Sequence, residues 1–353
     1  GEHNPKYKSN WVNTMKIVKT ADKLGYKNIL LPSSYQVGQD TLTFASAIAP
    51  MVKNINLLIA IRCGEIHPPM LAKAIATLDH ILEGKLTINI ISSDLPGTKL
   101  SSKERYLKSK EVIEILNQSW TKNKIDFKGD FYNLQIPSDP VKPYQKGGPL
   151  LYFGGYSPKG IDLCAKYCNV YLMWPETETR LKKMIYKMKK KADGYNRQIA
   201  FGLRIHVIVR KTELEAKKYA KKLISKLDIA KGDEIRNRSQ DSKSIGVSRQ
   251  KEMRLLSDEN YYLEDNIWTG IGLARSGCGA AIVGNPEQVL NKINRYIDMG
   301  IRSFILSGYP HKKEAKLFAK FVLPKIKNVS LPVVFNRIPK KTPNTPLANG
   351  KRN

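Results

Sequence analysis

FGLRIHVIVR, residues 201–210, decides how the rest of the chain is read. With a period of two, one face carries Phe201, Leu203, Ile205, Val207 and Val209. The other carries Gly202, Arg204, His206, Ile208 and Arg210. A short run rich in β-branched residues between polar segments predicts a buried strand. Buried strands of parallel sheets are usually apolar on both faces, yet here Arg204 and His206 point the same way. A guanidinium turned into an apolar interior is costly unless an anion meets it. That anion is either a protein carboxylate, in a structural ion pair at a strand end, or a ligand.

Working outward, strands and helices alternate on both sides of this run. Upstream, strands are expected at 28–32, 55–63, 86–92, 150–155 and 170–174. Helices are expected between them at 11–24, 41–49, 68–82, 101–120, 159–167 and 178–195. Gly25 supplies a helix stop and Pro68-Pro69 a helix start. Downstream come a helix at 213–227, a helix at 286–299 after the Gly284-Asn285-Pro286 turn, a strand at 303–307 and a helix at 312–326. This alternation, without Gly-x-Gly-x-x-Gly or a P-loop, predicts a parallel α/β architecture. Seven strands are legible; a closed (β/α)8 barrel would need another before Trp11, so either a strand is missing upstream or the sheet is open. Residues 124–148 read as an insertion with short β-like pieces. The polar stretch 228–265 reads as a long loop, either a lid or disordered. Residues 329–353 read as a basic, proline-containing tail.

Composition narrows the class. The 353 residues are 41% hydrophobic, enough for a real core, and allow one large domain or two of medium size. No run approaches the ~20 apolar residues of a membrane span, and the polar start Gly1–Trp11 is no signal peptide. The four cysteines (63, 164, 168 and 278) form no C-x-x-C pair, which fits buried thiols in a reduced cytoplasmic compartment. The net charge of +29 would suit a nucleic-acid binder. However, the lysine clusters at 182–191 and 312–320 carry helical apolar spacing, so they read as solvated helix faces. The five histidines show no metal-ligand spacing, and no carboxylate pair of the glycosidase kind is evident.

In a barrel, chemistry belongs at the C-terminal ends of strands. Those ends hold Ser92, the turn Gly154-Gly155-Tyr156-Ser157, Trp174, and the run SGYPH with Tyr309 and His311. The glycine turn before a helix suits either a phosphate or a plain turn capped by Ser157. His311 is either a proton carrier or an ordinary surface histidine. Arg275, in LARSGCGAAIVG, either binds an anion or tethers a loop. Taken bottom-up, the residues reach a barrel that binds a phosphate-bearing cofactor and an anionic substrate.

Several segments together carry a more specific likeness. They are ADKLGY (21–26), ATLD (76–79), ERY (104–106), GDFYNL (129–134), LYFGG (151–155), YLMW (171–174), FGLRIHVIVR, NIWTGIGLARSGCGAAIVGNPEQV (266–289) and SFILSGYPH (303–311). With them the chain resembles the bacterial-luciferase-like flavin monooxygenases, most closely the reduced-FMN-dependent alkanesulfonate monooxygenases. The resemblance implies a single (β/α)8 TIM barrel over residues 1–328, with the family's first strand missing from this chain. It implies reduced FMN supplied by a separate NAD(P)H-dependent flavin reductase, and cleavage of a small alkanesulfonate to aldehyde and sulfite. On matched positions it assigns Arg204, His206, Arg275, Tyr309, His311 and Trp174 to catalysis, and Ser92, Tyr106, Gly155, Tyr156 and Ser157 to FMN. It makes 228–265 a mobile lid and the protein a dimer or tetramer. Two departures are plain: Ser-Cys-Glu-Asp of related enzymes is Val37-Gly38-Gln39-Asp40 here, and the histidine of H-x-x-R-Y is Ser102. Rival expectations are oxidation of another small organosulfur compound such as dimethyl sulfone, and a non-catalytic flavin- or anion-binding barrel.

Overall fold

The structure is a computed structural model that describes residues 9–35, 38–228, 230, 232, 245–274 and 277–347. It is a mixed α/β fold built mainly on parallel strands, and it divides into two compact units. No helix among the described residues is long and apolar enough to cross a membrane.

The amino-terminal unit spans Ser9–Gly154, Asp162–Val170 and the segment from Asn328. It runs α1 (Trp11–Lys23), β1 (Asn28–Leu31), α2 (Thr41–Ile48), β2 (Asn56–Arg62), α3 (Pro68–Ile81), β3 (Leu86–Ile91), α4 (Ser102–Thr121), β4 (Lys124–Lys128), β5 (Asn133–Pro137) and β6 (Leu150–Phe153). Strands β1, β2, β3 and β6 pair in that order, all parallel. The helices start where side chains can satisfy their free N–H groups. Asp40 accepts from Thr43 N–H at 2.8 Å, and Ser101 forms a reciprocal capping box with Glu104. Buried Asp22 accepts from the N–H groups of Lys53, Asn54 and Ile55, holding the entry to β2.

The expected insertion is an antiparallel hairpin of β4 and β5. The buried Glu111 carboxylate of α4 accepts from the backbone N–H groups of Asp130, Phe131 and Tyr132 and pins the hairpin's turn. The segment read as a tail is docked through its first part. A short helix, Leu331–Val334, follows Ser330, which bonds Asn56 at the start of β2, and Lys146 N–H donates to Arg337 C=O at 2.8 Å.

The carboxy-terminal unit spans Gly155–Ile161 and Tyr171–Lys327. It contains the start of α5 (Pro158–Tyr167), then β7 (Val170–Met173), α6 (Glu178–Asp193), β8 (Ala200–Val209) and α7 (Glu213–Ile224). There follow α8 (Ile245–Leu255), β9 (Tyr262–Glu264), β10 (Ile267–Trp268), β11 (Ala281–Gly284), α9 (Pro286–Asp298), β12 (Ile301–Ser307) and α10 (His311–Phe321). The stretch quoted first is the central strand β8. Its residues Phe201–His206 pair in parallel with β12, and His206–Val209 pair in parallel with β11. Strand β10 lies antiparallel to both β11 and β9.

Two elements differ from the sequence expectation. AIVG at 281–284 is a strand, which is absent from the strands expected from sequence. Four residues are too few for a period to show, and pairing with β8 makes the strand. Secondly, the polar stretch 228–265 is not all loop, because α8 and β9 lie within it; its residues 229, 231 and 233–244 lie outside the described residues. The buried residues of α8 are Gly246, Gln250 and Met253. Their spacing is helical, but two of the three are not apolar, so the hydrophobic pattern is blank.

Lysine clusters behave as solvated faces. In α6, Leu181, Met188 and Ala192 are buried while Lys182, Lys183, Lys187 and Lys189–Lys191 are exposed. One lysine is different. Lys292 of α9 is only 2% exposed and donates to Glu178 at 2.6 Å and Glu264 at 3.3 Å. Burial opposes ionisation of Glu178, yet Lys292 and Arg295 outweigh it and hold its carboxyl below the usual carboxylate range.

Candidate active site

Arg204 lies within β8 and Arg210 is the first residue beyond it, and the two settle differently. Arg210 found a protein carboxylate: its Nη1 and Nη2 donate to Glu314 at 2.9 and 2.8 Å, and its guanidinium lies 3.8 Å from the Tyr219 ring centre. Arg204 did not. Its Nε is buried and has no hydrogen-bond partner among the described residues, and no described carboxylate pairs with it. A cationic donor held half-buried and unpaired costs free energy in the unliganded fold. It is the arrangement an anion-binding site requires and a structural ion pair does not.

Next to it His206 is buried, at 3% exposure. Its Nε2 lies 3.2 Å from the Cys278 carbonyl. A carbonyl only accepts, so Nε2 carries the proton. Tyr309 and His311 follow β12, whose Ser307 is in register with His206. The His206 and Tyr309 rings are 5.6 Å apart, and Tyr309 and His311 are 5.0 Å apart, edge to face. Tyr219 O–H donates to the Tyr309 carbonyl at 2.8 Å and holds the turn. His311 sits exposed at the start of α10, so the rings run from a buried imidazole to a solvent-facing one.

A second group forms at the end of β7. Trp174 N–H donates to Tyr156 O–H at 2.7 Å, and their rings are 6.4 Å apart. Tyr171 O–H donates to the Gly155 carbonyl at 2.8 Å. Burial, then Tyr171, push the Tyr156 phenol well above its ordinary range, so it stays neutral. Ser157 caps α5, its Oγ accepting from Gly160 N–H at 3.1 Å. That leaves its hydroxyl proton to donate, so cap and anion contact are compatible.

Helix α8 packs directly on this group. A Cβ at Gly246 would lie 3.1 Å from both Trp174 Cζ3 and Tyr156 Cε2, tighter than an ordinary contact, so glycine suits this close approach. Arg249 stands 5.0 Å over the Tyr156 ring and 3.6 Å from fully buried Glu176. Burial raises the Glu176 carboxyl above its usual range, against Arg249 and Arg180. Gly246, Arg249, Gln250 and Glu176 were not singled out from sequence. The only signal was the helical spacing of buried residues that are not hydrophobic.

In the amino-terminal unit, Ser92 lies just after β3 and shares a 2.6 Å hydrogen bond with Ser109 of α4. Tyr106, also on α4, packs edge to face on Phe153 at 6.2 Å. Arg275 lies outside the described residues. Thus, within the carboxy-terminal unit, the fold brings together His206, Tyr309 and His311, with Arg204 beside His206 on β8. It also brings together Gly155, Tyr156, Ser157 and Trp174.

Comparison with known proteins places this geometry. Residues 2–303 match the family model described as luciferase-like monooxygenase. The chain is 53% identical over 347 residues to a sulfoquinovose monooxygenase of Agrobacterium fabrum, covering 98% of this chain and 90% of that protein. It is 47% identical over 325 residues to a sulfoquinovose monooxygenase of Novosphingobium aromaticivorans, covering 90% of each. Among solved structures, a long-chain alkane monooxygenase superposes with a TM-score of 0.73 at 19% identity, covering 90% of this chain and 83% of that one. That likeness shows a shared fold.

Proposed function

The chain belongs to the luciferase-like monooxygenase family, and from that premise we propose that it uses reduced FMN and oxygen to break the C–S bond of a sulfonate. Sulfoquinovose, a hexose bearing a sulfonate, is the favoured substrate, because both relatives named above carry it in their names at about half identity. It replaces the small alkanesulfonate of the sequence reading; the anionic headgroup is the same.

Arg204 carries this reading. Its orphaned Nε fits a sulfonate oxygen, a tetrahedral anion with three acceptors. A neutral sulfone offers no charge to meet it. The residues present also fit the cofactor: the Ser157 hydroxyl and the start of α5 suit a phosphate, and Trp174 and Tyr156 supply aromatic surface. Ser92 and Tyr106 are further candidate contacts for the cofactor. Reduced FMN, when bound, would supply the activated oxygen.

The chain's own residues then have separable tasks. Arg204 binds and orients the sulfonate. Once the carbon bearing it is hydroxylated, that hydroxyl must lose its proton as the aldehyde forms and sulfite leaves. We assign the removal of that proton to an imidazole nitrogen of the His206–Tyr309–His311 group, whose rings run from buried His206 to exposed His311. Helix α8 covers Trp174 and Tyr156 and excludes water from that end. Arg275 is proposed as a second anion contact. An NAD(P)H-dependent flavin reductase and self-association into a dimer or tetramer complete the proposal.

The test is sulfite release with oxygen, FMN, NAD(P)H and a generic flavin reductase. Sulfoquinovose, methanesulfonate, a longer alkanesulfonate and dimethyl sulfone are offered in parallel. Sulfite from sulfoquinovose above all others is expected. Turnover of the sulfone alone, or no sulfite from any sulfonate, would overturn the reading.

A further inference from the structure

Helix α8 is tied to β7 and to the segment beside β8 through one amide. Gln250 is 5% exposed, and both ends of its side chain are used. Its Nε2 donates to the Pro175 carbonyl at 2.9 Å, one residue beyond Trp174. Its Oε1 accepts from Gly279 N–H at 2.9 Å. A carboxylate could only accept at this position, and an aliphatic chain could do neither.

Gly279 is held from both sides. A Cβ there would lie 2.8 Å from Gln250 Oε1, and a Cβ on Gly272 would lie 2.9 Å from the Gly279 carbonyl oxygen. These contacts account for glycine at 272 and 279. The residues flanking Gly279 are the ones that grip β8. The Cys278 carbonyl accepts from His206 Nε2, the Ala280 carbonyl accepts from His206 N–H at 3.1 Å, and Cys278 Sγ lies 3.2 Å from the Arg204 carbonyl.

We propose that Gln250 is a positioning residue: by fixing Gly279 it sets the Cys278 carbonyl against His206, and so couples the docking of α8 to the ring orientation and proton position of His206. The assignment of His206 to the reaction rests on the function proposed above; the coupling itself does not. The Cys278–Gly279 peptide unit joins the two side chains: its N–H donates to Gln250 Oε1 and its C=O accepts from His206 Nε2. When α8 is seated, His206 is locked with its proton on Nε2. When α8 lifts, Gly279 N–H loses the Gln250 acceptor and the Cys278 carbonyl can shift. A second amide contact, at Pro175, seats the same helix turn beside Trp174, so both candidate groups respond to one helix.

The experiment is a two-bond ¹⁵N–¹H spectrum of protein labelled at histidine nitrogen, without flavin or substrate, near pH 8. The five histidines are few enough to assign by His206→Asn. In the wild type, His206 is expected in the single Nε2–H form. Gln250→Met keeps the packing and removes both amide bonds; Gly279→Ala pushes the amide away from the opposite side. Both are expected to give a mixture of the two neutral forms. With reductase and sulfonate, both are expected to lower kcat by about 10–100-fold, the scale of a misplaced catalytic group, while KM changes by less than about threefold. A wild-type signature retained in Gln250→Met, or a wild-type His206 protonated on Nδ1, would overturn the coupling. Because the spectrum needs neither flavin nor substrate, it stands or falls apart from the identity of the substrate.

Discussion

Arg204 lies in β8 and Arg210 directly follows it, and the same substitution at each should move stability in opposite directions. Arg204→Met keeps the length and apolar stem but deletes the unpartnered Nε. An unsatisfied buried donor costs roughly 1–3 kcal/mol, and the lower end applies because the side chain is only half-buried. A gain of about 1 kcal/mol is expected, a rise in Tm of about 2 °C for a chain this long. Arg210→Met should do the reverse. It strands Glu314, which is 5% exposed and bonded through both oxygens, and breaking such a pair costs about 3–5 kcal/mol. Anion binding then separates function from fold. Charge-assisted bonds of about 1.5–3 kcal/mol correspond to roughly a 10–150-fold loss of affinity in Arg204→Met. At a sulfonate concentration 100 times the wild-type Kd, ligand stabilises the wild type by about 2.7 kcal/mol. If affinity falls 100-fold, only about 0.4 kcal/mol remains. Thermal melts with and without sulfonate measure both effects. An Arg204→Met protein that melts below the wild type and keeps its full ligand shift would refute the reasoning.

Other consequences follow from buried groups. Burial pushes the Asp79 carboxyl up to about 6 against its hydrogen bonds from Gln145, so the folded state holds that proton more tightly than the unfolded chain. Its contribution is complete below about pH 4 and is lost as pH rises through 6, a fall of about 3 kcal/mol. Urea unfolding near pH 4 and pH 7.5 should show this slope relative to Asp79→Asn, and a difference independent of pH would contradict it. Lys292→Met leaves Glu178 and Glu264 without their buried ammonium and should cost about 3 kcal/mol in chemical denaturation; a change under about 1 kcal/mol would mean Arg295 suffices. Gly246→Ala puts a methyl group 3.1 Å from two aromatic rings and should destabilise by about 1–2 kcal/mol. An unchanged melting temperature would show that α8 is not seated as described.

The alternation of strand and helix was legible because each repeat obeys a strong local rule. Strand β8 shows its period over ten residues, and Pro68, Ser101, Thr212 and Asn285 sit at or next to helix starts. Strand β11 was not legible, since Ala281–Gly284 is too short to carry a period and exists through its pairing with β8. Helix α8 was missed for a related reason. Its buried side is defined by what it touches, a glycine against two rings and a glutamine between two backbone groups, and neither contact leaves a hydrophobic trace.

The sequence by itself determined that a cation and an imidazole would lie side by side on a buried strand, because strand geometry makes residues two apart share a face. It determined the family as well, through motifs spread along most of the chain. Only the tertiary structure decided which arginine would be spent on the fold. Arg204 and Arg210 have the same side chain and the same parity in the period-two pattern of 201–210. Glu314 lies more than a hundred residues away in sequence, and the packing of α10 against β8 brings it to Arg210 and not to Arg204. An ion pair between distant elements depends on distances that no local pattern encodes, and that choice leaves Arg204 Nε without a hydrogen-bond partner among the described residues.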